Sequence, residues 1–260
     1  MQILLIGDIV GKTGRRMVTT HLPRLVVEHA IDMVIANGEN AAGGNGLTHE
    51  VMDELFAAGI DVMTSGNHIF DKKEIFEFID DVPNLLRPLN LPAGTPGRGY
   101  VIASPGSVPV AVVNISGRAF MPFQYGDPFE ALDIVLDSLP PEVSIVVVDF
   151  HAETTSEKAA LAWCFDGRVS VMVGTHTHVQ TSDERILPQG TAFITDLGMT
   201  GPRDSVIGVK TDLVIQKLRR QVPVRFDTAQ GPGQFGALKV AVDPKTGQAQ
   251  QIQRLFFREP

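Results

Sequence analysis

Residues 33–40 read Met-Val-Ile-Ala-Asn-Gly-Glu-Asn, a short apolar run that ends directly in polar residues. The same arrangement recurs along the chain. Short runs rich in β-branched residues and bounded by glycine are typical of strands that are buried on both faces. The other runs are 3–6 before Asp8, 62–65 before Asn67 and His68, 110–113 before Asn114, 145–148 before Asp149 and His151, 171–173 before His176 and His178, and 192–195 before Asp196.

Helical patterns separate the early runs. Residues 14–30 carry apolar side chains at near-helical spacing, although Pro23 is expected to kink or split this helix. Residues 48–58 predict a second helix with Thr48 as its N-cap. Strands and helices therefore alternate in the first half, which indicates an α/β fold with parallel strands.

The second half has denser strand signals and fewer helical patterns, which predicts a mixed sheet or two sheets packed face to face. No linker interrupts the chain, so we expect one domain over residues 1–260. Three segments rich in glycine and proline, 88–100, 117–126 and 199–209, are expected to form the rim of a functional site, because loops on a rigid scaffold commonly cover one.

Composition excludes several classes of protein. The chain is 43% hydrophobic and 20% charged, as is ordinary for a globular protein, and no apolar run is long enough to cross a membrane. The formal net charge of −8, without a long basic run, argues against binding to duplex nucleic acid. The apolar N-terminus lacks the basic segment of a signal peptide, so we expect a cytoplasmic protein. Cys164, the single cysteine, excludes an intramolecular disulfide and is expected to be buried.

The polar residues after the strands predict a metal site. The carboxyl ends of parallel strands lie at one edge of a sheet, where α/β proteins bind ligands. Oxygen and imidazole ligands without a thiolate suit manganese, iron or zinc, and their number suits two ions that share a carboxylate. The candidate residues are Asp8, Glu39, Asn40, Asn67, His68, His151, His176 and His178.

Each of these residues alone has a structural explanation. Asp8 could cap a helix, Asn40 could serve a turn, and Glu39 could be an exposed acid. The metal hypothesis depends on their joint occurrence at successive strand ends. The other three histidines, His21, His29 and His49, lie in helical stretches, and we expect no role for them in the site.

Two other catalytic motifs are absent. Residues 7–13 read G-D-I-V-G-K-T, which is one residue short of a phosphate-binding P-loop and has Ile6 where the first glycine is required. No G-x-S-x-G nucleophile elbow occurs either.

The ordered motifs resemble those of the calcineurin-like metallophosphoesterases, and more closely those of the bacterial YmdB-like metallophosphoesterases. The resemblance runs along nearly the whole chain. Two positions depart from the wider superfamily: Ile9-Val10 follows Asp8 where a histidine ligand is usual, and Glu39 stands where an aspartate usually bridges the ions. The motifs are Asp8, Gly-Glu-Asn at 38–40, Gly-Asn-His at 66–68, His151, Thr-His-Thr-His at 175–178, and the stretches 98–100, 117–121 and 198–202.

The resemblance implies an α/β sandwich of two mixed β-sheets flanked by helices, and phosphodiesterase activity on small phosphodiesters, with 2′,3′-cyclic nucleotides as suggested substrates. It implies one ion on Asp8, Asn40 and His178, a second on Asn67, His151 and His176, and Glu39 between them. The ions would be iron or manganese, or zinc, and would activate the attacking water. His68 would be the proton donor to the leaving oxygen.

Alternatives remain open at this point. The same ligand set would serve a phosphomonoesterase, or a regulatory protein that binds a nucleotide without turnover. Lys12 and Arg118 are either phosphate clamps or solvated surface residues. The expected partner is a small phosphorylated molecule, and the sequence is compatible with a homo-oligomer.

Overall fold

The computed structural model describes residues 1–260 and contains thirteen strands and five α-helices. The helices are α1 (Gly11–Glu28), α2 (His49–Ala57), α3 (Pro128–Ser138), α4 (Thr155–Cys164) and α5 (Thr211–Arg220). The strands are β1 (Gln2–Ile6), β2 (Asp8–Ile9), β3 (Met33–Asn37), β4 (Val62–Thr64), β5 (Tyr100–Ala103), β6 (Val110–Ser116), β7 (Ile145–His151), β8 (Val171–Thr175), β9 (Arg185–Ile186), β10 (Ala192–Ile194), β11 (Met199–Pro202), β12 (Gly233–Val242) and β13 (Ala249–Arg258).

The strands form two mixed sheets. The first has the order β2-β11-β12-β1-β3-β4, with β13 paired to β12, and its β1, β3 and β4 are parallel. The second has the order β5-β6-β7-β8-β10-β9. In it, β6, β7, β8 and β10 are parallel, and the edge strands β5 and β9 are antiparallel. The predicted α/β sandwich of two mixed sheets flanked by helices is confirmed.

Alternate side chains of the strands enter different apolar layers. In β1, Leu4 and Ile6 join a cluster with α1 and α2, whereas Ile3 and Leu5 join a cluster between the two sheets. A third cluster packs the second sheet against α3 and α4. Because both faces of the central strands are buried, their sequences are continuous apolar runs.

The helix predictions are confirmed only in part. The helix at 48–58 is observed as α2, and the Thr48 side chain accepts from the Val51 N–H as predicted. Pro23 does not split α1, which is continuous from Gly11 to Glu28. Pro23 has no N–H to donate to the Thr19 carbonyl oxygen. Because Thr19 and Pro23 are both exposed, this carbonyl group lies on a solvated face of the helix. No helix is both long and apolar enough to cross a membrane.

Two further expectations were wrong. The second half is not poorer in helices, since it contains α4 and α5 and nearly all of α3. Cys164 is exposed. It lies with Trp163 on the solvent face of α4, whereas Leu161 and Ala162 are buried, because neighbours in sequence occupy different faces of a helix.

Candidate metal centre

The structure brings all eight predicted residues together at one cleft, which is lined by Glu39, Asn40, His68, His176 and His178. The other three are buried in contact with them, namely Asp8, Asn67 and His151. The ends of β1, β3 and β4 contribute Asp8, Glu39, Asn40, Asn67 and His68 from the first sheet. The ends of β7 and β8 contribute His151, His176 and His178 from the second. Direct contacts join residues of the two sheets, as between Glu39 Oε1 and His151 Nε2 at 3.0 Å and between Asn40 Nδ2 and His178 Nε2 at 3.3 Å.

One half of the centre surrounds His151. Its Nε2 lies 3.0 Å from Glu39 Oε1, 3.1 Å from Asn67 Oδ1 and 3.0 Å from His176 Nδ1. Potential ligand atoms of Glu39, His151 and His176 lie within 4.8 Å of one another. Donor atoms roughly 3 Å apart are what a metal ion requires when each ligand bond is about 2.1 Å.

The other half contains Asp8, Asn40 and His178. His178 Nε2 is 3.7 Å from Asp8 Oδ1. Asp8 is fully buried, and its Oδ1 has no hydrogen-bond partner within the protein. A buried carboxylate oxygen without a partner is costly unless a cation neutralises it. The residues present therefore fit a metal ion.

Each of the three histidines in these two halves is held by the ring nitrogen that faces away from the centre. His151 Nδ1 is 2.9 Å from Thr175 Oγ1, His176 Nε2 is 3.0 Å from Glu153 Oε2, and His178 Nδ1 is 2.8 Å from the Ile207 carbonyl oxygen. A carbonyl or carboxylate oxygen only accepts, so the far nitrogens of His176 and His178 carry protons. Their near nitrogens then present lone pairs to the centre, as metal-binding histidines do.

Burial and neighbouring charges perturb the titration of these groups. Burial raises the pKa of Asp8, against the lowering effect of His178 and His151. For Glu39, burial acts in the same direction, but the neighbouring His151 outweighs it and holds the pKa below its ordinary value. The carboxylates of Glu39 and Asp8 conversely raise the pKa of His151 despite its burial. A bound metal ion supplies the same positive charge and requires neutral histidines.

A buried polar network supports His151 from behind. Thr175 Oγ1 donates to Asp149 Oδ1 at 2.7 Å and so accepts from His151 Nδ1, which leaves Nε2 for the centre. Asn37 and Thr64 also donate to Asp149, whose pKa burial raises to about 6. The roles of Asp149 and Thr175 were not predicted from the sequence. The sequence does show that Asp149 lies two residues before His151, so that both side chains are on one face of β7.

The backbone of residues 176–178 does not continue the extended conformation of β8. His176 and His178 have φ of 97° and 65°, in the left-handed region that residues other than glycine rarely adopt. Such strain persists only where the surroundings impose it. Asp196 Oδ2 accepts from both the N–H and the hydroxyl of Thr177, and it also accepts from Lys158 at 2.7 Å. Asp196 thus holds the segment that carries both histidines.

Lys158→Met should lower the free energy of unfolding by about 3–5 kcal/mol, because it leaves the buried Asp196 carboxylate without its cation. Denaturant titration measures this loss. Lys210→Met, which breaks the exposed pair with Asp227, should cost no more than about 1 kcal/mol. Adding Asp196→Asn to Lys158→Met should restore part of the loss. A loss no larger than that of Lys210→Met would contradict this role.

Gly66 is required because the chain passes close to His151 at this position. Its φ is not positive, but a Cβ at this position would lie 2.2 Å from the His151 ring. The absence of a side chain therefore lets the segment that carries Asn67 approach His151 closely.

His68 lies in the cleft but has different contacts from the other histidines. Its backbone N–H donates to Glu39 Oε2 at 2.9 Å, and its Nδ1 donates to Asp71 Oδ2 at 2.8 Å. Asn45 Nδ2 also donates to that Asp71 oxygen. The side chain is 40% exposed, and no contact joins its ring to the ligand cluster. Asp71 and Asn45 were not predicted from the sequence.

The cleft has a volume of about 580 Å³, and its rim corrects the loop predictions. Residues 207–209 line it, as expected for part of 199–209, but 88–100 and 117–126 do not. The first of these loops covers the end of β6 instead, where Leu89 and Asn90 bond to the backbone of Asn114 and Ser116. Segments 43–45 and 226–228, which were not predicted, complete the rim.

The two proposed phosphate clamps lie outside the cleft. Lys12 is exposed on α1, and Arg118 pairs with Asp127 at 3.3 Å. Neither lines the cleft, in agreement with the interpretation of solvated surface residues. His21, His29 and His49 also lie outside it, as expected.

Comparison with known proteins identifies the family. The profile described as YmdB-like protein matches residues 4–255. The chain belongs to the YmdB-like family. A relative from Bacillus subtilis, named 2′,3′-cyclic-nucleotide 2′-phosphodiesterase, is 47% identical to this YmdB-like chain over 259 residues, which cover 100% of this chain and 98% of the relative.

Two solved structures are also similar. A protein from Mycoplasma pneumoniae described as a novel phosphatase has a TM-score of 0.94 at 32% identity, covering 99% of this chain and 93% of its own. A putative 5′-nucleotidase from Staphylococcus aureus has a TM-score of 0.62 at 15% identity, covering 98% and 53% respectively, which shows a common fold alone. The donor atoms of Glu39, His151 and His176 in the YmdB-like chain are close enough to one another to hold a metal ion.

Proposed function

We propose that the chain is a dinuclear-metal phosphodiesterase that hydrolyses small phosphodiesters, with 2′,3′-cyclic nucleotides as its substrates. The observation that carries the proposal is the orientation of three histidines, each held by its far nitrogen, in a centre that also contains a buried carboxylate oxygen without a partner, Asp8 Oδ1. The 47% identical relative with that named activity supports the choice of substrate.

In this proposal Asp8, Asn40 and His178 hold one ion, and Asn67, His151 and His176 hold the other. Glu39 lies between the two sets, since its Oε1 is 3.0 Å from His151 Nε2 and 3.3 Å from Asn40 Nδ2. When bound, the metal ions would neutralise negative charge on the phosphate and lower the pKa of the water that they bind. We propose iron or manganese, and the nitrogen and oxygen donors also accommodate zinc.

His68 is the proposed proton donor. Hydrolysis adds water to phosphorus and breaks one phosphorus–oxygen bond, so the leaving ribose oxygen must gain a proton. Asp71 accepts from Nδ1 and thereby orients the ring. In the doubly protonated imidazolium form of His68, the proton on Nε2 is the one that the leaving oxygen gains, which leaves the ring neutral. The products are a phosphomonoester and a free hydroxyl group on the ribose.

Elemental analysis combined with a substrate panel tests the proposal. Protein purified without chelator should contain about two transition-metal ions per chain and should open 2′,3′-cyclic AMP faster than it cleaves adenosine 3′-monophosphate. Chelation should abolish turnover, and added manganese or iron should restore it. Turnover of the monoester alone would instead favour a phosphomonoesterase. Nucleotide binding without turnover by fully loaded protein would contradict the proposal and favour a regulatory role.

A further inference from the structure

One wall of the cleft is apolar, in contrast to the polar metal centre. Its side chains belong to Val10, Ile207, Val209 and Phe226. Phe226 is 40% exposed and Ile207 is 50% exposed. The volume of about 580 Å³ lies within the range of small-molecule sites, so the cleft is larger than a phosphate group alone requires.

The aromatic ring of Phe226, which belongs to this wall, is held in place. Lys217 Nζ lies 4.6 Å from the ring centroid. The segment that carries Phe226 is also bonded to 208–210, since the Lys210 N–H donates to the Asp227 carbonyl and the Ala229 N–H to the Gly208 carbonyl. An aromatic side chain that is both exposed and fixed loses little conformational entropy on binding a ligand.

Ile207 connects the apolar wall to the metal centre. Its φ of 45° is in the left-handed region, which is unfavourable for a β-branched residue and persists only where the surroundings impose it. This conformation accompanies the hydrogen bond between the Ile207 carbonyl oxygen and His178 Nδ1, while the Ile207 side chain lines the cleft. The same residue thus orients a proposed ligand and extends the apolar wall.

We propose that Phe226 and Ile207 form a stacking subsite for the nucleobase of the substrate. A molecule that fits the cleft has a phosphate at the metal centre and a flat unsaturated ring at the apolar wall, and a nucleotide has both. The inference rests on the proposed function for the position of the phosphate. Stacking on an aromatic ring is tolerant of base identity, so purines and pyrimidines both bind.

Steady-state kinetics with two substrates tests the subsite. The holoenzyme is assayed with 2′,3′-cyclic AMP and with methyl ribofuranoside 2′,3′-cyclic phosphate, which has the same cyclic ester without a base. Phe226→Ala should raise KM for cyclic AMP by about 5- to 150-fold, the usual cost of losing one base–aromatic stack. The wild-type preference in KM for the substrate with a base should then disappear, and Phe226→Trp should restore it.

Phe256 provides a matched control. It is 42% exposed, and the Arg258 guanidinium lies 5.0 Å from its ring centroid, but it is on β13 and does not line the cleft. Phe256→Ala should leave both KM values unchanged. An equal rise of KM for both substrates in Phe226→Ala, or no rise for cyclic AMP, would overturn the proposal.

Calorimetry separates this inference from the proposed phosphodiesterase activity. If the loaded protein turns over neither substrate, the proposed function fails, and binding still tests the subsite. Adenosine 3′-monophosphate should bind Phe226→Ala more weakly than wild type, whereas inorganic phosphate should bind both with the same affinity. Equal affinities of both proteins for the nucleotide would overturn the subsite independently of catalysis.

Discussion

His68→Ala should lower kcat for a 2′,3′-cyclic nucleotide by about 10²- to 10⁴-fold while the chain keeps its full metal content. The contacts of His68 with the centre are made by its backbone N–H, which donates to Glu39 and remains in the variant. The ring contacts Asp71 instead. The substitution therefore removes a proton donor without removing a ligand.

The leaving group distinguishes general acid catalysis from a structural role. A nitrophenolate departs without a proton, so the loss for a nitrophenyl phosphodiester should be much smaller than for the cyclic nucleotide. Asp71→Asn should reduce kcat less than His68→Ala, since it disturbs only the orientation of the ring. If His68 merely supports the turn after Gly66, stability falls but the rate per folded, metal-loaded molecule does not.

His49→Ala is the matched control for this prediction. His49 also contacts a carboxylate on its own segment, with Nδ1 3.1 Å from Asp53 Oδ2, but it lies on α2 outside the cleft. Its replacement should leave kcat unchanged for both types of substrate. An equal loss for good and poor leaving groups in His68→Ala would remove the acid role from His68.

Glu39→Gln should reduce the metal content to one ion or fewer per chain and lower kcat/KM by more than about 100-fold. Replacing a residue that only orients a ligand costs about 10- to 100-fold, and a shared ligand should cost more. The carboxylate is fully buried and touches His151, Asn40 and the backbone of His68, so it joins both halves of the centre. Elemental analysis after gel filtration, with parallel kinetics, measures both effects.

Glu153→Gln provides the comparison. Glu153 is 49% exposed and contacts only the far nitrogen of His176, at 3.0 Å. The Glu153→Gln variant should therefore retain both ions, and its kcat/KM should fall by no more than about 100-fold. Asp61→Asn, at a carboxylate that accepts from the Val34 N–H outside the cleft, should change neither quantity. Full metal content in Glu39→Gln would contradict the bridging position.

The sequence was sufficient for the central strands of both sheets, because these strands are buried on both faces, but β9 and β13, which are largely exposed or half-buried, were not predicted. Each continuous apolar run identified a strand. The polar residues after β1, β3, β4, β7 and β8 include the candidate ligands, whereas Asn114 of β6 and Asp196 after β10 do not line the cleft. The course of helix α1 through Pro23 was not predictable, because the tertiary packing of Met17, Leu22 and Leu25 outweighs local propensity. Cys164 was misplaced because an apolar neighbourhood in sequence does not specify which face of a helix a residue occupies.

The candidate ligands were predictable because they follow the apolar strand runs, whereas the residues that hold them in place by hydrogen bonds were not. Thr175 and Asp149 lie inside apolar strands, and Glu153, Asp71 and Ile207 lie in turns whose conformation no local pattern specifies. Hydrogen bonds between sheets, such as that of Thr64 to Asp149, depend on how the sheets pack. Residues 226–228 reach the cleft only because they pair with 208–210, a long-range contact without a sequence signal.

Anomalous diffraction at the manganese edge, from crystals of the manganese-loaded protein, tests the central claim most directly. We expect two peaks about 3.5 to 4 Å apart, with the Glu39 carboxylate in contact with both. One peak should lie among Asp8, Asn40 and His178, and the other among Asn67, His151 and His176. A single fully occupied peak, with Glu39 in contact with that ion alone, would contradict the dinuclear centre.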